Sequence, residues 1–516
     1  MALIDDAVLL MIPSGYKAGT LYNVLPNTAA GDFTVANAGT KFRTNSDLKL
    51  EEIAENVPAL DYSAVGGCPH VKLNEANTNL LEYPLSFGHS DWTKSGATLE
   101  GDPSTASADL NVSTLVSLSY TTFVPTIGNE STGFTATSDG LGNDFGGTAD
   151  EINIVNGNMY LIEFDLTLNS GILPNECALR PDGSSSPISR IIIPVEGNNS
   201  FYLTATSTTT GLFNFRNSSS ITNYTVSNLS VKQVTGYPSP SVTYPTDAYL
   251  FTATATDGSI KLTTDLASAA YNNSWYVKRA TGTGVVSLID ASDTDIEIAV
   301  TGGWQRFDAN ATGTQCGLKL ADSGDAVYIA FAQTSAKTYA PTFTYSGTEG
   351  ATSSMLADAI TGAGDAATFA SVNASGVLYA EISALSNNDG VPRAISISDG
   401  TSNNWIYLRY SASINTAAVY SKIGGVTKFW VDPIPITAIN TIKIAIRWKV
   451  DNFGLWINGI EIPKTAGDED VVFGANVIDR LNFSEYDNDS PFYGNTKQVA
   501  VYNYLDDAAM VILTTP

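Results

Sequence analysis

Chemistry in this sequence has to be sought among few residue types. There are two histidines, His70 and His89, and three widely spaced cysteines, Cys68, Cys177 and Cys316. They form no Cys-x-x-Cys pair, no His-Glu-x-x-His run and no Cys/His cluster, so neither a zinc centre nor a disulfide framework is expected. A Gly-x-Ser-x-Gly elbow, a phosphate loop and a dinucleotide fingerprint are also missing. Acidic residues are plentiful, 52 in 516. Two of them could hydrolyse a glycosidic bond if one were buried against an aromatic wall, raising its pKa, and faced the other across about 5–10 Å. Glu381, on an apolar strand, is the candidate, with a solvated strand residue as the competing reading. The pattern points away from an enzyme.

Sugar binding needs less. Pyranose C–H faces stack on exposed Trp and Tyr rings while Asn, Asp and Gln hold the hydroxyls. Candidates are Trp405, Tyr407, Trp430 and Trp456 near the C-terminus, and Trp275, Tyr276 and Trp304 in the middle. Trp275, Trp304 and Trp456 sit inside strand patterns, where core packing is the better reading. Trp405 follows Ser402-Asn403-Asn404 at a loop edge, so Trp405, Tyr407 and Trp430 are the expected carbohydrate contacts. Calcium is the one cofactor to consider. Asp468 and Asp470 in one loop, and Asp487 and Asp489 in another, are hard oxygen ligands, against the alternative of solvated acidic loops.

Composition narrows the partners. A formal net charge of −26 repels phosphate backbones and anionic lipid surfaces, and no basic patch with interleaved aromatics occurs. No nucleic acid and no membrane insertion are expected. The apolar run 7–12 has no basic residues before it and is too short for a signal peptide or a span. With 43% hydrophobic and only 15% charged residues, cores are affordable and the surface must be Ser, Thr, Asn and Gly. That is the profile of an all-β chain with many turns.

The elements that must position these residues follow from period and punctuation. Ile442, Ile444, Ile446 and Trp448 alternate with Lys443, Ala445, Arg447 and Lys449, the pattern of a half-buried strand. Asp451-Asn452 turns the chain, Leu455-Trp456-Ile457 returns it, and Asn458-Gly459 makes a two-residue hairpin into Ile460-Glu461-Ile462. This meander, with the strands around it in 368–516, resembles the laminin-G/concanavalin-like lectin sandwich. Asp506 is expected to cap a last helix with Leu505, Ala509, Ile512 and Leu513 on its apolar face. Residues 81–112 and 237–340 read as one jelly-roll module interrupted by a second, 113–236. The second ends in Tyr-Thr-Val-Ser-Asn-Leu-Ser-Val-Lys (224–232), which resembles the closing strand of carbohydrate-binding jelly rolls. Residues 341–367 read as a linker, and 48–57 as a short helix stopped by Pro58.

Phe42-Arg43-Thr44-Asn45, Asn56-Val57-Pro58, Leu60-Asp61-Tyr62, Gly67-Cys68-Pro69, Asn77-Thr78-Asn79-Leu80-Leu81 and Trp92-Thr93-Lys94-Ser95-Gly96 occur in an order that resembles bacteriophage tail and head fibre proteins. Ser274-Trp275-Tyr276-Val277-Lys278-Arg279 and Gly303-Trp304-Gln305-Arg306-Phe307 resemble the jelly roll of the same proteins, where it follows the Trp-Thr-Lys-Ser-Gly segment directly. The resemblance implies a non-enzymatic virion structural protein, a tail or head fibre or capsid decoration. It implies attachment through 1–80 to capsid, portal or tail proteins, assembly as a homo-oligomer, expected to be a trimer, and adhesion to host surface polysaccharide. The alternatives are a secreted bacterial polysaccharide-binding adhesin and a polysaccharide-cleaving tailspike.

Overall fold

The alternating stretch 442–448 becomes the strand Ile442–Trp448, with Ile442, Ile444, Ile446 and Trp448 all turned into one core. Gly454–Ile457 pairs with it, and Ile460–Glu461 pairs back across Asn458 and Gly459. Both turn residues have positive φ, 50° and 81°, the geometry for which Asn-Gly is suited. The computed structural model describes residues 6–63, 67–110, 134–138, 145–147, 152–181, 186–217, 221–386, 390–413, 415–464, 466–467, 472–486 and 489–516. The chain is all-β and built from β-sandwiches. The one α-helix among the described residues is Asp507–Thr514, capped by Asp506, whose carboxylate accepts from the Ala509 amide. It buries Met510 and Leu513 beside Leu505, while Ile512 points to solvent, which corrects the expected apolar face. No helix among the described residues is long and apolar enough to cross a membrane.

The meander belongs to an eight-stranded sheet. Its order runs Ile460–Glu461, Gly454–Ile457, Ile442–Trp448, Gly376–Ala384, Gly494–Tyr502, His70–Leu73, Ala59–Asp61, with Ala7–Met11 also on Gly494–Tyr502. Opposite it lies a six-stranded sheet: Ala466–Gly467, Val426–Pro435, Thr416–Ile423, Trp405–Tyr410, Arg393–Ser398 and Arg480–Asn482. One apolar cluster fills the space between them.

The N-terminal eighty residues do not stand apart from the C-terminal sandwich. Ala7–Met11 and His70–Leu73 share one edge of Gly494–Tyr502 end to end. Residues 341–367 are woven in too, since Ala359–Thr361 pairs with Phe33–Ala36 and Ser353–Met355 with Asn77–Asn79. The stretch expected as a helix holds the strand Leu50–Ile53 instead, in a hairpin with Lys41–Thr44. Leu48 sits at φ 59° in the turn, a left-handed conformation that no helix tolerates.

The middle of the chain holds two further sandwiches. Trp92–Ser95 pairs with Gly258–Leu262, and Ala97–Glu100 with Tyr249–Ala253, so the chain before residue 113 and the chain after 236 complete the same two five-stranded sheets. Between them lies a sandwich with its own core, including Phe164, Phe213, Phe215 and Tyr224. It is not isolated. Its Met159, Leu161 and Val234 join the core of the interrupted module beside Leu81, Phe87, Trp92 and Leu99. Two glycines permit this approach: a Cβ on Gly88 would fall 2.2 Å from Thr204 Oγ1, and one on Gly101 would fall 2.8 Å from the Thr235 carbonyl.

Candidate functional site

The expected sugar platform lies on the outer face of the six-stranded sheet. Alternation along Trp405–Tyr410 sends Ile406 and Leu408 to the core and Trp405, Tyr407 and Arg409 outward. Register then sets Tyr407 beside Tyr420 and Tyr420 beside half-buried Trp430. The row is assembled, but it is not open. Trp405 is only 7% exposed and Tyr407 6%. The Trp405 ring is stacked with Tyr407 (4.6 Å between centroids, 15° between planes) and with Tyr486 (5.6 Å, 11°). The Arg409 guanidinium lies 5.5 Å from the Tyr407 ring and 5.6 Å from that of Tyr420, and forms an ion pair with Glu485 at 3.3 Å. Tyr420 donates to Asp432, and burial, with that carboxylate beside it, pushes the Tyr420 phenol up to about 12.

Trp405 is therefore a packed side chain and not an exposed platform. Outward-facing position does not ensure exposure when a loop, here the one carrying Tyr486, folds over the sheet. Trp405→Ala is expected to lower stability by about 2–4 kcal/mol, from lost buried area and lost stacking. Denaturant unfolding of the C-terminal sandwich measures it, and a variant within about 0.5 kcal/mol of the parent, the range of neutral surface changes, would return Trp405 to the surface.

The remaining candidates separate by burial. Trp275 and Trp456 are enclosed at 0% and 1% exposure, and Trp304 and Tyr276 pack against the apolar cluster around Phe331 and Phe343. Glu381 lies 3.6 Å from Lys497 Nζ and accepts from the Tyr379 hydroxyl at 3.5 Å. Of the acidic loop residues, Asp468, Asp470 and Asp487 lie outside the described residues. Asp489 is exposed, and its carbonyl accepts from the Glu485 amide at 2.8 Å. No group of three or more His, Cys, Asp or Glu placed to hold a metal ion occurs among the described residues.

A different site emerges where the two middle sandwiches meet. A cleft of about 450 Å³ opens beside the plug formed by Met159 and Val234. Four tyrosines line it, Tyr83, Tyr244, Tyr249 and Tyr345, together with the amides of Asn156, Asn158 and Gln233 and the carboxyls of Asp247 and Glu349. Glu349 Oε1 accepts from the Leu85 amide at 3.3 Å, while Oε2 is buried with no hydrogen-bond partner. Burial pushes the Glu349 carboxyl up to about 8, and the charge of Asp247 acts in the same direction. Burial raises Asp247 as well. At neutral pH Glu349 is therefore mostly protonated, able to donate as well as accept. Aromatic faces beside amides and a neutral carboxyl suit a polyhydroxylated ligand.

No family model and no curated protein matches this chain. Several solved structures are similar to part of it. One is the CBM40 module of the Ruminococcus gnavus IT-sialidase bound to α2,3-sialyllactose, at 19% identity over 30% of this chain and 92% of that one, with a TM-score of 0.26. Another is the fourth domain of a GH43 extracellular arabinanase from Geobacillus stearothermophilus, in complex with arabinotriose: 19% identity, 31% and 73% of the two chains, TM-score 0.23. A third is a tandem of two CBM22 domains from Paenibacillus barcinonensis, at 9% identity over 51% and 98%, with a TM-score of 0.17.

Sequence reasoning missed the tyrosine cleft because its walls come from five separated segments, 83–86, 156–159, 233–236, 244–249 and 345–349. None has a spacing that announces a site. The nearest signal was Tyr244 and Tyr249 bracketing Asp247 within a Pro-rich connection, aromatics where a linker needs none.

Proposed function

We propose that this chain is a non-enzymatic glycan-binding structural protein of a bacteriophage particle, and that the tyrosine-lined cleft between its two middle sandwiches is where the glycan sits. The observation that carries the binding part is the cleft itself, with four phenol rings, three amides and a carboxyl held neutral by burial. The virion part is supported by the ordered motifs of 42–96 and 274–307 that resemble phage fibre proteins. A shallow site of this kind would have a dissociation constant on the order of 0.1–1 mM. Many copies on one particle would raise avidity by roughly 10²–10⁴.

A second reading comes from the same carboxyls. A Glu held protonated beside an Asp is the arrangement of a general acid and its partner in glycoside cleavage. Against it, Glu349 accepts from the Leu85 amide, which ties the group into the wall. Titration calorimetry of the full chain with oligosaccharides from the host surface tests both. Tyr83→Ala and Asn158→Ala, at half-buried positions, should each weaken binding about tenfold or more. Asn158→Ala should leave the melting temperature unchanged, while Tyr83→Ala should lower it, since the ring is stacked on His89 and packs against the module core. Affinity that survives both substitutions overturns the site, and reducing ends that accumulate with the parent chain but not with Glu349→Gln overturn the non-enzymatic reading.

A further inference from the structure

The contact between the two middle sandwiches has a second cleft. The inserted module presents Met159–Ser170 flanked by Gly197–Thr204 on one side and Asn223–Val234 on the other. The tyrosine cleft lies along the Asn223–Val234 side, and a cleft of about 390 Å³ lies along the other, where Tyr202 and Thr204 face Trp92, Lys94 and Leu99. Its distinguishing feature is charge. Lys94 comes from the interrupted module and Arg190 from the inserted one. In a chain with twice as many acidic as basic residues, neither makes an ion pair with a described carboxylate.

The Lys94 ammonium donates to the Phe87 carbonyl at 3.0 Å, and Arg190 Nη2 to the Tyr202 carbonyl at 3.3 Å. Both contacts leave donors over, because an ammonium has three and a guanidinium five. Burial, with the Arg190 charge next to it, brings the Lys94 ammonium down to about 8. Glu100 is the opposing charge that acts on Arg190. Asp91, next in the chain to the lining residues Ser90 and Trp92, donates its backbone amide to His89 Nδ1 at 3.2 Å. Two like charges are thus brought together by module docking, with hydroxyls of Thr98, Ser189, Thr204 and Thr206 around them. Docking them without an anion costs repulsion, and an anion between them removes it.

We propose that the Lys94–Arg190 cleft binds the negatively charged group of an acidic glycan, the carboxylate of a uronic-type sugar or the sulfate ester of a sulfated one. The hydroxyls around the pair would take the sugar's own hydroxyls. This rests on the glycan-binding reading above and adds a preference for charge at a distinct place. The cleft sits on the opposite flank of the module contact from the tyrosines, so a chain running across the contact could present a neutral segment to one and a charged residue to the other.

The test is calorimetric titration of the full chain with a glucuronate-terminated oligosaccharide, its methyl ester, a sulfated galactoside with its unsulfated parent, and inorganic sulfate. At least one acidic sugar should bind about tenfold tighter than its neutral counterpart, and which of the two does so assigns carboxylate or sulfate. Lys94→Gln and Arg190→Gln should each remove most of that gap while leaving affinity for the neutral oligosaccharide unchanged. Arg190 is exposed, so its variant keeps the test valid should Lys94→Gln disturb packing. Equal affinity for acidic and neutral sugars, a charge preference that survives both substitutions, or inorganic sulfate binding as tightly as any sugar overturns the proposal. The first of these, with neutral binding intact, spares the tyrosine cleft, whereas loss of all sugar binding removes the underlying reading.

Discussion

A chain that begins at residue 81 is expected to lose the folded C-terminal sandwich. Ala7–Met11 and His70–Leu73 cover the free edge of Gly494–Tyr502. Removing them exposes a row of unpaired amides and carbonyls in the middle of the sheet sequence. The larger loss is apolar. Leu9, Met11, Leu21, Phe33, Val35, Leu60, Val71 and Leu73 all belong to the same cluster as Ile444, Trp448 and Val501. At about 1.5–3 kcal/mol for each buried side chain, they contribute on the order of 10–20 kcal/mol. A domain has a net stability of about 5–15 kcal/mol, so the sandwich should not survive their removal. Thermal unfolding followed by circular dichroism, with limited proteolysis of 368–516, gives the readout. A truncated chain with a protease-resistant sandwich and an undisturbed cooperative transition would show that 1–80 merely rests against it.

The reason this was hidden is physical. Strand type was legible from alternation: Ile442, Ile444, Ile446 and Trp448 read as the inner face of a strand and are one, although the other face is covered too, with Ala445 and Arg447 buried beside the C-terminal helix. The Asn458-Gly459 turn and the strands on either side of the insertion were equally readable, because each rests on local chemistry or on a repeated pattern. The run 7–11 lacks such a signal. Its partner lies almost five hundred residues away, and a short edge strand carries nothing that names its neighbour. The same limit operated at the site. The loop-edge position of Trp405 suggested an open platform, but its burial depends on Tyr486, in a loop whose path no periodicity describes. The two clefts between the middle sandwiches were invisible for a related reason. They exist only because Gly88 and Gly101 let the modules touch, and a glycine in sequence does not say what it is close to.

The second large effect concerns the tie that closes this weave. Lys41 and Asp358, 317 positions apart, form an ion pair whose side chains are 1% and 3% exposed. Asp358 also accepts from the Asn74 amide at 2.8 Å and from Asn74 Nδ2 at 3.1 Å. One carboxylate therefore holds three segments: the hairpin at Lys41–Thr44, the turn after His70–Leu73, and the approach to Ala359–Thr361. Burial keeps the Lys41 ammonium below the usual lysine range despite the carboxylate against it, so desolvation weighs heavily on the pair. Its net worth against an apolar pair is accordingly small, but breaking it from one side is costly, because the partner is left charged in an enclosed site. Lys41→Met should destabilise by about 3–5 kcal/mol. Asp358→Asn added to Lys41→Met should recover part of that loss, since the amide carries no charge and can still accept from the Asn74 amide. Urea unfolding of the parent, the two single variants and the double variant forms a complete cycle. A double variant less stable than Lys41→Met alone would mean that the Asn74 contacts, and not the ion pair, hold the three segments together.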